Sequence, residues 1–228
     1  MKPPETAEAE GMLKIAQVAI EASSKPPGTL RILDVACGTG DMIPYYMQAA
    51  LEIGEARGGG SGSPAVVGVD ISPGMVALAA QRHPESVFVA GDVDDLNLED
   101  VNKDGSSETG NGERDARFDI IVLNACVSHL WNPKATLQRL SDEFLATDGI
   151  LIVSHPRGRK FIERMCQKDP VLFRHNLPTE QELEALCADK GATGLRLLSF
   201  HDNDQHQEDG SENARKEGMY MAVLVKMA

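Results

Sequence analysis

The sequence predicts a doubly wound α/β fold built on a mostly parallel sheet of seven strands, and three observations lead there. Short apolar runs alternate with helix-length segments over the first 155 of the 228 residues, the order that right-handed β-α-β winding requires. The run Ile120-Ile121-Val122-Leu123 is uninterruptedly apolar, as a central parallel strand buried on both faces should be. Ile32-Leu33-Asp34-Val35 enters a turn with two glycines, Gly38 and Gly40, and Val66-Val67-Gly68-Val69 ends in a second carboxylate, Asp70.

Residues 5–22 place Met12, Ile15, Ala16, Val18, Ala19 and Ile20 at helical spacing with one buried face, and Pro26-Pro27-Gly28 ends that helix. Strand one is expected at 30–35 and a helix at about 40–53. Gly58-Gly59-Gly60-Ser61-Gly62-Ser63 reads as an exposed flexible connection. Strand two is 65–70; a helix over 73–82 stops at His83-Pro84; strand three is 86–90. The almost wholly polar segment 102–116 is too long for an ordinary connection and reads as mobile. Strand four is 118–123, a helix covers 133–146, and strand five is 149–154. Helices follow at 158–168 and 179–190, the second opened by Thr179 with Glu182 three residues on, a capping-box pattern. The last strands, 194–200 and 218–226, flank a second polar stretch, 202–217. There is no internal repeat. The chain is expected to be one domain over 1–228, with 1–27 as an N-terminal helical cap, 28–155 as a ligand-binding core, and 156–228 as substrate-side helices and the last two strands.

Two neighbouring strands that end in carboxylates, with glycines between them, describe a nucleoside pocket at the carboxyl edge of a parallel sheet. A dinucleotide fits poorly. Its fingerprint needs a third glycine, whereas the run here is Gly38-Thr39-Gly40-Asp41-Met42-Ile43, and Asp41 would repel a pyrophosphate at the helix N-terminus. No phosphate-cradling G-x-x-x-x-G-K-[ST] run occurs. An adenosine-containing ligand without phosphates is left.

At this point the sequence resembles the class I S-adenosylmethionine-dependent methyltransferases over roughly residues 28–226. Asp34-Val35-Ala36-Cys37-Gly38-Thr39-Gly40 is similar to that family's glycine-rich first motif, with Ala36 in place of its commonest first glycine. Asp70-Ile71-Ser72 resembles the second motif, whose acid binds both ribose hydroxyls. Ala90-Gly91-Asp92-Val93 resembles the third, where an acid and the next backbone amide hold the adenine edge. Residues 118–124 and 146–152 are similar to the fourth strand and to the turn and strand that follow. The resemblance implies a Rossmann-like methyltransferase sheet with an antiparallel C-terminal strand and S-adenosyl-L-methionine as cofactor. It implies a cofactor site of Asp34, Ala36, Cys37, Gly38, Thr39, Gly40, Asp41, Asp70, Ile71, Met75, Asp92, Val93, Asn124 and Ala125. Each acid also has a plain structural reading: Asp34 as a turn cap, Asp70 as a cap for the helix at Pro73, and Asp92 as part of a solvated acidic helix start.

On the acceptor side, the segment 124–133 leaves the carboxyl end of strand four and should pass the reactive methyl. His129 is its candidate general base, because an ordinary imidazole titrates near 6.5; a packing histidine is the alternative. Trp131, the only tryptophan, is a candidate pocket wall or an ordinary core residue. Ser154-His155-Pro156-Arg157-Gly158-Arg159-Lys160 is the most basic cluster in the chain. It offers His155 as a second base and Arg157 and Arg159 as contacts for an anionic acceptor group. No metal is expected, since Asn124 and His155 stand where metal-dependent relatives place hard oxygen ligands.

The net charge of -13 argues against a nucleic-acid partner and an anionic membrane surface. Four cysteines, Cys37, Cys126, Cys166 and Cys187, show no zinc spacing and suit a cytoplasmic or other reducing compartment. No apolar run approaches the ~20 residues that span a bilayer, and the N-terminus does not read as a targeting segment. The expected activity is methyl transfer to a small-molecule acceptor by metal-independent in-line displacement. The alternatives are a protein methyltransferase, a nucleic-acid methyltransferase (disfavoured by charge), a catalytically inactive regulatory protein that binds the cofactor, and a nicotinamide-dependent dehydrogenase.

Overall fold

The structure, a computed structural model, describes residues 7–59, 62–102, 117–188, 194–202 and 218–227. The polar segments expected to be loops, 102–116 and 202–217, fall almost wholly outside the described residues. The strands are β1 (Arg31–Val35), β2 (Ala65–Asp70), β3 (Val87–Ala90), β4 (Phe118–Asn124), β5 (Leu145–His155), β6 (Leu195–Asp202) and β7 (Tyr220–Lys226). The helices are α1 (Ala7–Glu21), α2 (Ile43–Ala56), α3 (Pro73–Arg82), α4 (Pro133–Arg139), α5 (Gly158–Lys168) and α6 (Glu180–Ala188). They build one sheet in the order β3-β2-β1-β4-β5-β7-β6. Strands β1 to β5 run parallel, and β7 lies antiparallel to both β5 and β6.

Alternation along the central strands sorts their side chains to the two faces of the sheet. Ile32, Ile120, Val122, Ile150 and Ile152 face α1 and α2, where Ile15, Ala19, Ile20, Tyr46, Ala49 and Ile53 are buried. Leu33, Ile121, Leu123, Leu151 and Val153 belong to the opposite core with Leu137, Ile162, Leu183 and Leu186. Each of these large side chains stabilises the fold by about 1.5–3 kcal/mol on burial. The N-terminal helix, expected as a cap, is thus a structural layer against the sheet; its first half reaches the carboxyl edge, where a Cβ on Gly11 would lie 3.6 Å from that of Pro156.

The helix expected at about 40–53 is Ile43–Ala56, and a larger departure follows α4. The helix predicted over 133–146 ends at Arg139, a π-turn spans Leu140–Phe144, and β5 starts at Leu145 rather than 149. Phe118 pairs with Leu145 and Ile120 with Ile150, so residues 146–149 bulge from the ladder, with Asp148 in a left-handed conformation (φ 59). Carbonyls freed by the wide turn gain a partner from β7: Lys226 Nζ donates to Ser141 O at 2.6 Å and to Leu145 O at 3.0 Å. The capping box does form, with Glu182 N donating to Thr179 Oγ1 at 3.2 Å and Thr179 N to Glu182 Oε2 at 2.7 Å.

Candidate active site

The chain turns sharply where β1 ends. Ala36 (φ 55), Gly38 (φ 55) and Gly40 (φ 79) all take left-handed backbone, which costs an alanine about 1–2 kcal/mol. The turn is held by Cys37 N donating to Val69 O at 3.0 Å and Gly40 N to Cys37 O at 2.9 Å. Only glycine fits at 40, where a Cβ would stand 2.7 Å from the His83 ring; at Gly38 a Cβ would meet nothing within 4 Å, so the backbone is open to approach. Ala125, just past β4, is also left-handed (φ 57), and its N–H bonds Ser154 O at 2.8 Å. Strained backbone therefore sits at the ends of both central strands, where function tends to concentrate it.

This turn orients the carboxylate of β2. Gly38 N donates to Asp70 Oδ2 and Ser72 N to Asp70 Oδ1, both at 2.9 Å, and each oxygen keeps a further lone pair. Asp34 is buried two residues before Ala36. Tyr46 Oη donates to its Oδ1 at 3.4 Å, while Oδ2 has no partner. Burial pushes the Asp34 carboxyl up to about 7, against the Tyr46 hydrogen bond and with help from the charges of Asp41 and Asp70.

A cavity of about 410 Å³ opens at this edge. One wall is Asp70, Ile71 and Gly91 to Asp94; the other is Cys126, His129, Leu130, Trp131 and Arg174; Val35 and Ala36 lie between. Asp92 shapes its own segment, its Oδ1 accepting from Asp94 N at 3.1 Å, and Asp94 accepts from Thr136 Oγ1 at 2.8 Å. The acidic run forms a turn and starts no helix, and Asp92 borders the cavity.

The two candidate bases part company. His129 lines the cavity, and its Nδ1 lies 2.9 Å from Leu172 O. A carbonyl can only accept, so Nδ1 carries the proton and Nε2 keeps its lone pair in the neutral ring. Phe173 packs on the same imidazole with ring centroids 4.7 Å apart. His155 does not line the cavity; it is buried at the end of β5. Its Nδ1 accepts from Arg157 N at 3.1 Å, which leaves the proton on Nε2. Burial, then the positive charge of Arg157, then His129, lower it to about 4.

The basic run after β5 also lies away from the cavity. Arg157 stacks on Phe161 with its guanidinium carbon 3.7 Å from the ring centroid, in an open groove along α5 with Arg164 and Lys168. Arg159 Nε donates to Leu177 O at 2.9 Å, pinning the α5–α6 connection. Several residues of the first motif act behind the cavity rather than on it. Cys37 is buried, its thiol pushed up by burial. Asp41 points outward, with Thr39 Oγ1 donating to it at 3.0 Å and Arg82 paired to it at 3.2 Å. Asn124 Oδ1 accepts from Ser154 Oγ at 3.1 Å, and Met75 is exposed on α3 outside the lining. Arg174 is the residue that the sequence motifs missed. It belongs to the α5–α6 connection, which carries no motif; the run Phe173-Arg174-His175 was the available signal.

A family model described as a methyltransferase domain matches residues 9–197. The chain belongs to the class I S-adenosylmethionine-dependent methyltransferases. Among curated methyltransferases, it is 33% identical over 172 residues to a demethylmenaquinone methyltransferase of Renibacterium salmoninarum, covering 75% of this chain and 56% of that protein. It is 33% identical over 124 residues to a ubiquinone/menaquinone biosynthesis C-methyltransferase of Campylobacter jejuni, covering 54% of this chain and 43% of that one. The chain therefore spans about half the length of these relatives. In fold it is similar to the plantazolicin methyltransferase BpumL, solved with S-adenosylhomocysteine, at a TM-score of 0.60 and 16% identity over 98% of this chain and 86% of that one. The chain has a site that fits its family's cofactor: an unpartnered buried acceptor on Asp34, an oriented carboxylate on Asp70, and Ile71, 69% exposed at the cavity wall, available to an adenosyl ring.

Proposed function

We propose that this chain transfers a methyl group from S-adenosylmethionine to a small-molecule acceptor by metal-independent in-line displacement. The observation that carries the reading is that Asp70 and His129 line one cavity, the first oriented by the first-motif turn and the second held at Nδ1 by Leu172 O. The curated relatives, named for methylation in quinone biosynthesis, support a small-molecule acceptor.

Bound S-adenosylmethionine supplies a methyl group on a sulfonium with a good leaving group. Asp70 accepts from the ribose hydroxyls, each charge-assisted bond contributing roughly 1.5–3 kcal/mol. Asp92 and Val93 hold the adenine edge, and Asp34 offers its open oxygen to a donor of the cofactor's amino-acid tail. His129 Nε2 takes the proton of an acceptor nucleophile that carries one. Leu130 and Trp131 line that side of the cavity. Alignment of nucleophile and carbon is worth up to about 7–11 kcal/mol of the barrier, so most of the work of these residues is positional. A reducing, cytoplasmic setting suits the cysteines, which are all free among the described residues, and no helix of the described residues is long and apolar enough to cross a membrane.

The test is titration calorimetry with S-adenosylhomocysteine. Asp70→Ala should weaken binding roughly tenfold or more, and unchanged affinity would refute the assignment of Asp70. Incubation with S-adenosylmethionine and a small-molecule extract should release S-adenosylhomocysteine. Release that follows only a protein fraction would replace the small-molecule acceptor with a protein, and cofactor binding without release under either condition would mark a regulatory binder.

A further inference from the structure

The cation at the mouth of the cavity is Arg174, not a residue of the basic run after β5. Its guanidinium carbon lies 4.8 Å from the centroid of the Trp131 ring. Trp131 is 77% exposed, an unusual setting for the largest apolar side chain. Both residues are held from behind. Arg174 N donates to Ser128 O at 2.8 Å, and His175 Nε2 lies 3.2 Å from Trp131 O, donating to it. The same segment supplies Leu172 O and Phe173 to His129. Base, indole and guanidinium thus form one assembly on the cavity wall opposite Asp70 and Asp92.

We infer that Trp131 and Arg174 are the acceptor-recognition site, and that they select a flat unsaturated ring bearing a carboxylate or a comparable anion. This rests on the methyltransferase reading above and names the substrate class for that site. The physical basis is a division of labour within each side chain. A guanidinium set against an aromatic ring by its charge can still pair through its N–H groups with a carboxylate. The indole offers a second face and rim to an aromatic ring at low entropic cost. Of the cavity acids, Asp70 lies at the end of β2 and is already bonded to Gly38 and Ser72, and Asp94 is bonded to Thr136 of α4. An anionic ring is therefore attracted to the His129 side and repelled from the side assigned to the nucleoside.

Trp131 is the only tryptophan of the chain, so protein fluorescence excited at the indole reports on this site alone. The protein is first saturated with S-adenosylhomocysteine, with saturation checked by calorimetry, and then titrated with benzoate or with benzyl alcohol as probes. Benzoate should quench Trp131 saturably and bind about tenfold or more tighter than benzyl alcohol. Arg174→Gln should abolish that preference while S-adenosylhomocysteine affinity stays within about twofold. Trp131→Leu, followed by calorimetry, should weaken both probes, and circular dichroism should show each variant folded. Equal binding of the two probes overturns the inference. So does a Trp131 signal that S-adenosylhomocysteine alone shields from acrylamide and benzoate leaves unchanged, since the pair would then cover the nucleoside. A parent protein that ignores S-adenosylhomocysteine yet prefers benzoate would sink the methyltransferase reading and keep this site.

Discussion

Asp34 and the two histidines show how much a single environment decides. The Asp34 carboxyl titrates near 7 when folded against an ordinary 3.8, so the folded state holds a proton that the unfolded chain releases. Its contribution to stability is fully present below about pH 4 and is lost as pH rises toward 7. Asp34→Asn, which mimics the protonated acid, should remove that slope: urea denaturation across pH 4.5 to 7.5 (about the window of this shift) should show the variant gaining on the parent as pH rises. A pH-independent difference would mean that Asp34 is ionised throughout. Both histidines stood as base candidates in the sequence, His129 first and His155 second, since both come at or after the end of a central strand. Leu172 O accepts from Nδ1 of His129, whereas Nδ1 of His155 accepts from the Arg157 amide and leaves the proton on Nε2, so His129 is the one of the two that lines the cavity with an Nε2 able to accept. His129→Gln should lower kcat by about 10²- to 10⁴-fold with S-adenosylhomocysteine affinity unchanged by calorimetry. An unaffected kcat would assign His129 to packing.

Elements were legible wherever local chemistry and hydrophobic period agreed. Pro73 with Ser72 before it marked the start of α3, and Ser72 Oγ does accept from Met75 N at 3.4 Å. Thr179 and Glu182 marked the start of α6. Thr179→Ala should cost about 0.5–2 kcal/mol in urea unfolding, because it removes the acceptor of Glu182 N; a change below about 0.3 kcal/mol would show that Tyr220 Oη, which bonds Pro178 O at 2.8 Å, holds the helix start unaided. The end of α4 was not legible. Phe144 and Leu145 continue the apolar pattern of a helix, and nothing local announces that β7 will supply Lys226 to the carbonyls of a π-turn.

At the scale of the whole molecule, charge is the property most easily tested. A net charge of -13 repels itself in the folded state, and surface ion pairs such as Arg139–Glu143 at 3.1 Å contribute only about 0–1 kcal/mol. Raising sodium chloride from about 0.02 to 0.3 M, which shortens the screening length severalfold, should therefore raise Tm in differential scanning fluorimetry; a fall would show that ion pairs outweigh repulsion. The sheet and its carboxyl edge could be read from residue order, because parallel strands bring their carboxyl ends together whatever the loops do: Ala36, Asp70 and Asp92 line one cavity by topology alone. The acceptor wall could not. Arg174 lies 43 residues from Trp131 in the chain and meets it only because the α5–α6 connection folds back over the Val127–His129 turn. Arg157 and Arg159, at the expected edge in sequence, were claimed instead by Phe161 and Leu177 O. The chain by itself determined most of the elements and the candidate carboxyl edge, since periodicity and turn chemistry are local. Tertiary structure alone decided which histidine keeps a free nitrogen and which arginine faces the cavity, since both depend on partners that are remote in sequence or on burial.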